Sequence, residues 1–231
     1  MENTKTIAVG EVRIGEKFKV AGHEYVVLNK TESSVFVIES MSFGDMYFGK
    51  TNDWRESDIR AYLRNEYMEK LINNDLNLKD ILSFAIDLKE TNGGREYGYD
   101  SCKVGLLTLE QYTKYAEYIP LNDESWWLAT PNKTPNSRSP STNSTSRVWC
   151  VYNGGNMGVS DAYNSYGIRP VLLFSSSLFV SVDRDENEDA NDYETGYKAG
   201  YETGYKVGYA AAIKKMTDLI GHDLAESEGE Q

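Results

Sequence analysis

Few residues of this sequence could do chemistry, and most are badly spaced for it. The two histidines, His23 and His222, have no Cys or His neighbour at metal-ligand spacing, so no zinc site is expected. The two cysteines, Cys102 and Cys150, form no CxxC pair, and two are too few for a cystine-stapled scaffold. Cys150 lies between Trp149 and Val151 in an alternating run that sends those two inward and Cys150 outward. It is then either an exposed thiol or a partner for Cys102. Activation as a nucleophile would need a base or a cation beside it. No His qualifies, and Arg147 would do no more than lower the thiol pKa. The expectation is a protein with no catalytic residue, no cofactor and no metal.

One motif match needs weighing. Gly44-Asp-Met-Tyr-Phe-Gly49-Lys50-Thr51 satisfies the phosphate-loop pattern GxxxxGK[ST], and Ser83 to Asp87 could pass for its magnesium-binding strand. A phosphate loop wraps backbone N–H groups around an anion and needs small residues inside it. Asp45, Met46, Tyr47 and Phe48 are bulky or anionic, and the helix-capping signals come later, at Asp53 to Ser57. Nucleotide binding is not expected.

The stretch Thr130 to Tyr166 has a different character. It is rich in Ser, Thr, Asn and Tyr, with Asp161 its only acid. It is interrupted by an apolar strand around Trp149 and bracketed by Trp126-Trp127 and Ile168 to Phe174. Long polar loops held on core strands tend to carry function, and Ser, Asn and Tyr make adaptable contact surfaces. The outward face of Asn132–Arg147, Cys150–Asn153 and Asn156–Tyr166 is the expected ligand site, with Trp126, Trp127 and Ile168 as scaffold.

The elements that would position this face can be read from periodicity. Phe18 to Val20, Tyr25 to Leu28 and Val35 to Ile38 read as a β-meander. Asp53 or Ser57 caps a helix that puts Ile59, Tyr62, Leu63, Tyr67 and Leu71 on one face. Ile81 to Leu88 reads as a strand, Val104 to Leu107 as another, and Thr108 caps a second helix running to about Tyr118. Trp126 to Leu128, Val148 to Tyr152 and Ile168 to Phe174 follow as strands.

With 231 residues the chain can hold one well-packed domain, expected over 1–180, plus an appendage. An acidic linker, 181–192, leads to a tail, 193–231, that repeats every four residues from Glu194-Thr-Gly-Tyr197 to Lys206-Val-Gly-Tyr209. Gly196, Gly200, Gly204 and Gly208 would each cost a lone helix about 1 kcal/mol against Ala. A helical tail is therefore expected to recover that cost by close packing, making 193–220 an assembly element. The net charge of −12 argues against gripping nucleic acid or anionic membranes. No apolar run approaches a membrane span, and the polar stretch Met1 to Val9 has no signal-peptide character. Synthesis in the cytoplasm without an export signal is expected.

Five blocks stand in order: Trp54-Arg-Glu-Ser57-Asp-Ile-Arg60-Ala-Tyr-Leu63-Arg-Asn-Glu-Tyr67, then Val104-Gly-Leu-Leu-Thr108 with Glu110-Gln-Tyr112, then Ser125-Trp-Trp-Leu128-Ala-Thr-Pro131, Val148-Trp149-Cys-Val151 and Gly167-Ile-Arg169-Pro170. Together they resemble a bacterial and phage domain of C-type-lectin fold. The resemblance covers about Gly10 to Phe174 and implies an α+β, C-type lectin fold of antiparallel strands with two helices. Its C-terminal half is similar to the variable proteins of diversity-generating retroelements, in which surface positions of a fixed scaffold are substituted to bind ligands. That implies a recognition protein for a protein or glycan receptor on a target surface, part of a phage or cell-surface assembly. The implied ligand-binding residues are Asn143, Arg147, Cys150, Tyr152, Asn153, Asn156, Ser160, Asp161, Tyr163, Asn164 and Tyr166. A sister family on the fold generates formylglycine with paired cysteines and copper. Only the Gly-Ile-Arg ending is shared with it, so an oxidase is the alternative, and a structural assembly subunit a further one.

Overall fold

The computed structural model describes residues 3–135, 137, 145–184 and 208. The tail expected to form an assembly helix over 193–220 lies outside the described residues but for Gly208, as do Asn143 and most of the linker. Thr4–Asp183 forms one compact unit. It is mostly antiparallel β-sheet, curled into a half-barrel, with two short helical runs.

The meander forms as its pattern dictates. Lys17–Val20 pairs with His23–Lys30 through the two-residue turn Ala21-Gly22, and His23–Lys30 pairs with Ser34–Glu39. Both turn residues have positive φ, 51° and 77°, the geometry that matches the twist of a tight hairpin. Val171–Ser175 then lies antiparallel on Ser34–Glu39, with Val171 opposite Ile38 and Phe174 opposite Val35. Asn3–Ala8, Phe179–Arg184, Ile81–Leu82 and Val104–Gly105 complete this large sheet.

Two strand expectations are corrected here. Residues 181–184, expected to open the acidic linker, finish the strand Phe179–Arg184, because the alternation continues and Val180 and Val182 are both buried. Ile81 to Leu88 is not one strand. It breaks at Ser83 into Ile81–Leu82 in the large sheet and Phe84–Asp87, which pairs with Tyr99–Cys102 in a separate two-stranded ribbon.

The first helical run, 58–73, comprises an α-helix Asp58–Tyr62, a π turn Leu63–Tyr67 and an α-helix Met68–Asn73. Ser57 caps it, its Oγ accepting from the Arg60 N–H at 3.0 Å, while Asp53 caps the preceding turn Trp54–Glu56. The π turn has a sequence reason. Ile59, Leu63, Tyr67 and Leu71, all buried, recur every four residues. An α-helix with 3.6 residues per turn would rotate such a row off the core by about 40° per step. A wider turn in the middle takes back part of that rotation. The second run, Leu109–Tyr115, opens on a capping box between Thr108 and Gln111.

A smaller sheet carries the polar stretch. Its strands run Met157–Asp161, Arg147–Val151, Trp126–Pro131, Ser165–Ile168 and Phe43–Tyr47, antiparallel except where Trp126–Pro131 meets Ser165–Ile168 in parallel. The sheet is covered on both faces. Trp127, Val148, Cys150 and Ile168 belong to one buried cluster, Trp126, Leu128 and Val151 to the other. The run that matches a phosphate loop is the strand Phe43–Tyr47 followed by the wholly buried Phe48.

Candidate functional site

The polar stretch is built on a hairpin whose strands are Arg147–Val151 and Met157–Asp161. Their register places Arg147 opposite Asp161, Val148 opposite Ser160 and Cys150 opposite Gly158. The long insertion after Pro131 is pinned at its two ends. Buried Asn52 donates through Nδ2 to the carbonyls of Lys133 (2.8 Å) and Arg147 (2.9 Å), and its Oδ1 accepts from the Tyr97 hydroxyl. Buried Glu90 accepts from the Thr134 N–H at 2.6 Å and from the Ser137 hydroxyl at 2.8 Å. The described ends of this segment are therefore held by interior side chains.

The expectation for Cys150 is corrected. The chain alternates as anticipated, but the sheet has cores on both sides, so Cys150 and Val151 are both buried, at 0% and 1% exposure. The inward/outward rule needs one solvated face, and this strand has none. Cys150 and Cys102 are free thiols, not a disulfide. Burial pushes the Cys150 thiol up to about 11 and the Cys102 thiol up to about 12, the latter helped by Asp100. Both are protonated and poorly nucleophilic at neutral pH. Cys150 contributes packing and a weak contact from its sulfur to the Gly158 carbonyl, at 3.6 Å.

Tyr152 lies half-buried, its ring folded over Gly158 and its hydroxyl donating to the Val159 carbonyl at 3.2 Å. A Cβ on residue 158 would come within 2.3 Å of that ring, so a larger residue there would push the Tyr152 ring aside. The Tyr166 ring meets Tyr152 edge-on at 6.4 Å and sits 4.8 Å from buried Trp127. Ser160, itself buried, donates to the Tyr166 hydroxyl at 3.1 Å and accepts from Asn164 Nδ2 at 2.8 Å. Ser160, Asn164 and Tyr166 thus form one hydrogen-bonded group on a tryptophan floor, with the Tyr152 ring packed against it.

The remaining site residues divide between two ends of the hairpin. Arg147 and Asp161 form an ion pair at 3.3 Å where the strands open, and Tyr163 stands in the adjoining turn, 64% exposed. Asn153 and Asn156 lie at the closed tip, exposed, where Tyr152 N–H donates to the Asn156 carbonyl. Six residue steps along the hairpin arm lead from Arg147 to Asn153, roughly 20 Å if extended. The two asparagines therefore do not share a contact surface with Tyr163.

An exposed aromatic beside this cluster escaped the sequence reading. Tyr47, 60% exposed, pairs with Ser165 across the strands Phe43–Tyr47 and Ser165–Ile168. Its signal was masked because it falls inside the phosphate-loop match. Among the described residues no group of three His, Cys, Asp or Glu is placed to hold a metal, and no helix is long and apolar enough to cross a membrane. A family model described as "Domain of unknown function (DUF6273)" matches residues 32–176. Neither the curated proteins nor the solved structures give a match to this chain.

Proposed function

The chain belongs to the DUF6273 family, and we propose that it is a recognition protein whose C-type-lectin-like scaffold presents a tyrosine-rich surface to a protein or glycan receptor. The observation that carries this reading is the segregation within the polar stretch. Ser160 is hydrogen-bonded to Tyr166 and Asn164, and Tyr152 packs edge-on against the Tyr166 ring over Trp127, while Tyr163, Tyr47 and the Arg147–Asp161 pair are left towards solvent beside them. A surface with rigid support beneath and large amphipathic side chains above suits binding. The raised thiols argue against the oxidase alternative, which needs a reactive cysteine.

The lectin-like fold and the retroelement link are part of the proposal and rest on the sequence resemblance. The order of strands supports the fold: two larger sheets beside a two-stranded ribbon, with Phe179–Arg184 returning to pair with Lys17–Val20 and Val171–Ser175 with Ser34–Glu39. A neighbouring reverse-transcriptase gene with a near-copy of the 126–170 coding segment would support diversification. The surface itself is tested with Tyr163→Ala, Tyr47→Ala and Arg147→Ala in one chain. The melting temperature should stay within a few degrees, since exposed side chains contribute about 0.5 kcal/mol or less each. Capture of a receptor from a target-surface extract should fall at least tenfold. Undiminished capture by the folded triple variant would place recognition elsewhere.

A further inference from the structure

The run 58–73 carries a second four-residue row beside its core row. Arg60, Arg64, Met68 and Ile72 share one wall of a cleft of about 420 Å³, within the size range of small-molecule sites. The same π turn that keeps the core row on the core keeps this row straight over roughly 18 Å. Leu78, Cys102 and Lys103 stand on the other side. The cleft lining has three cations and no carboxylate, in a chain with 36 acids against 24 bases.

The three cations differ in what already holds them. Arg60 is committed to Asp100, with bonds of 2.7 and 2.9 Å. The Lys103 Nζ donates to the carbonyls of Leu78 and Ile81. Arg64 is exposed and has neither a hydrogen bond nor an ion pair among the described residues. Beyond it along the row the wall turns apolar, and Ile72 and Leu78 are 44% and 47% exposed at the mouth. Large aliphatic side chains left in water beside an uncommitted guanidinium specify a ligand with two parts.

We propose that this cleft binds a small anionic amphiphile, with Arg64 taking a carboxylate and Met68, Ile72 and Leu78 taking the apolar chain. The site is separate from the tyrosine surface and does not depend on it. Dodecanoate, kept below its micelle concentration, is the probe, and titration calorimetry on the full chain the measurement. One molecule should bind saturably, and dodecyltrimethylammonium, with the same tail and the opposite charge, should not. Arg64→Gln should weaken binding about tenfold, the value of one charge-assisted bidentate contact, and Ile72→Ser should weaken it several-fold. Both positions are exposed, so melting temperatures should be unchanged. Saturating dodecanoate should also slow alkylation of Cys102, read by mass spectrometry of its peptide. Equal binding of the two detergents by the unaltered chain, full affinity in the Arg64→Gln chain, or an unprotected Cys102 would each overturn the assignment.

Discussion

Two tyrosine clusters of this domain use the same chemistry in opposite surroundings. In the first, Tyr25 and Tyr67 share a hydroxyl contact at 2.7 Å, Tyr67 donates to Glu39 at 2.8 Å, and His23 meets the other oxygen of Glu39 at 2.7 Å. Both tyrosines are essentially fully buried. In the second, Tyr152 and Tyr166 bond to Val159 and Ser160 at the rim of the small sheet, half in solvent. A buried hydroxyl that loses its partner has no water to turn to, whereas a rim hydroxyl does. The same residue type therefore ties helix to sheet in one place and stiffens a contact surface in the other.

Alkaline pH should expose this contrast most strongly, because it acts on several interior groups at once. Burial raises the phenols of Tyr25 and Tyr67 well above their usual 10.0, and Glu39 adds to this for both; Cys102 and Cys150 rise above 9.0. Folded values above unfolded ones mean the associated stability is fully present below about pH 9 and is lost as pH rises towards the folded values. Melting temperature should be flat to about pH 9 and then fall steeply. A flat profile to pH 11 would show that these groups are not buried as described.

Next in size is Tyr67→Phe, which leaves Glu39 short of a donor and Tyr25 without its partner. It should cost about 1.5–3 kcal/mol by urea denaturation, the range for a bond to a charged acceptor. Smallest is Tyr166→Phe, which removes the acceptor for Ser160 where water can replace it. It should cost about 0.5–1 kcal/mol. If Tyr166→Phe proves the more damaging of the two, the rim cluster is part of the core and the distinction collapses.

Where the sequence is periodic, it is legible. The meander, the helix under Ser57 and the capping box at Thr108 fall where spacing puts them. The strands Phe43–Tyr47 and Met157–Asp161 are not legible, because both lie at edges of the small sheet, where polar and bulky residues replace alternation. Cys150 was misplaced for a related reason. A strand between two cores carries the same alternation as a half-solvated one, and nothing local in Val148 to Tyr152 tells them apart. Nor does sequence reveal that Asn52 and Glu90, some 45–95 residues away, pin the loop they serve. Such bonds have no local pattern.

Arg169 donates to the carbonyls of Glu39, Ser40 and Pro120, and its neighbour strand Val171–Ser175 covers Ser34–Glu39. A ribosome delivers these partners far apart in time. At synthesis rates of about 5–20 residues per second, the roughly 130 residues between them take on the order of 10 seconds. For that interval Val35 to Ile38 is an apolar strand with one open edge. The nascent chain must wait unfinished, or be shielded by a chaperone, until its last strands emerge. A message truncated before codon 169 should yield a product that aggregates, however complete its first hairpins are.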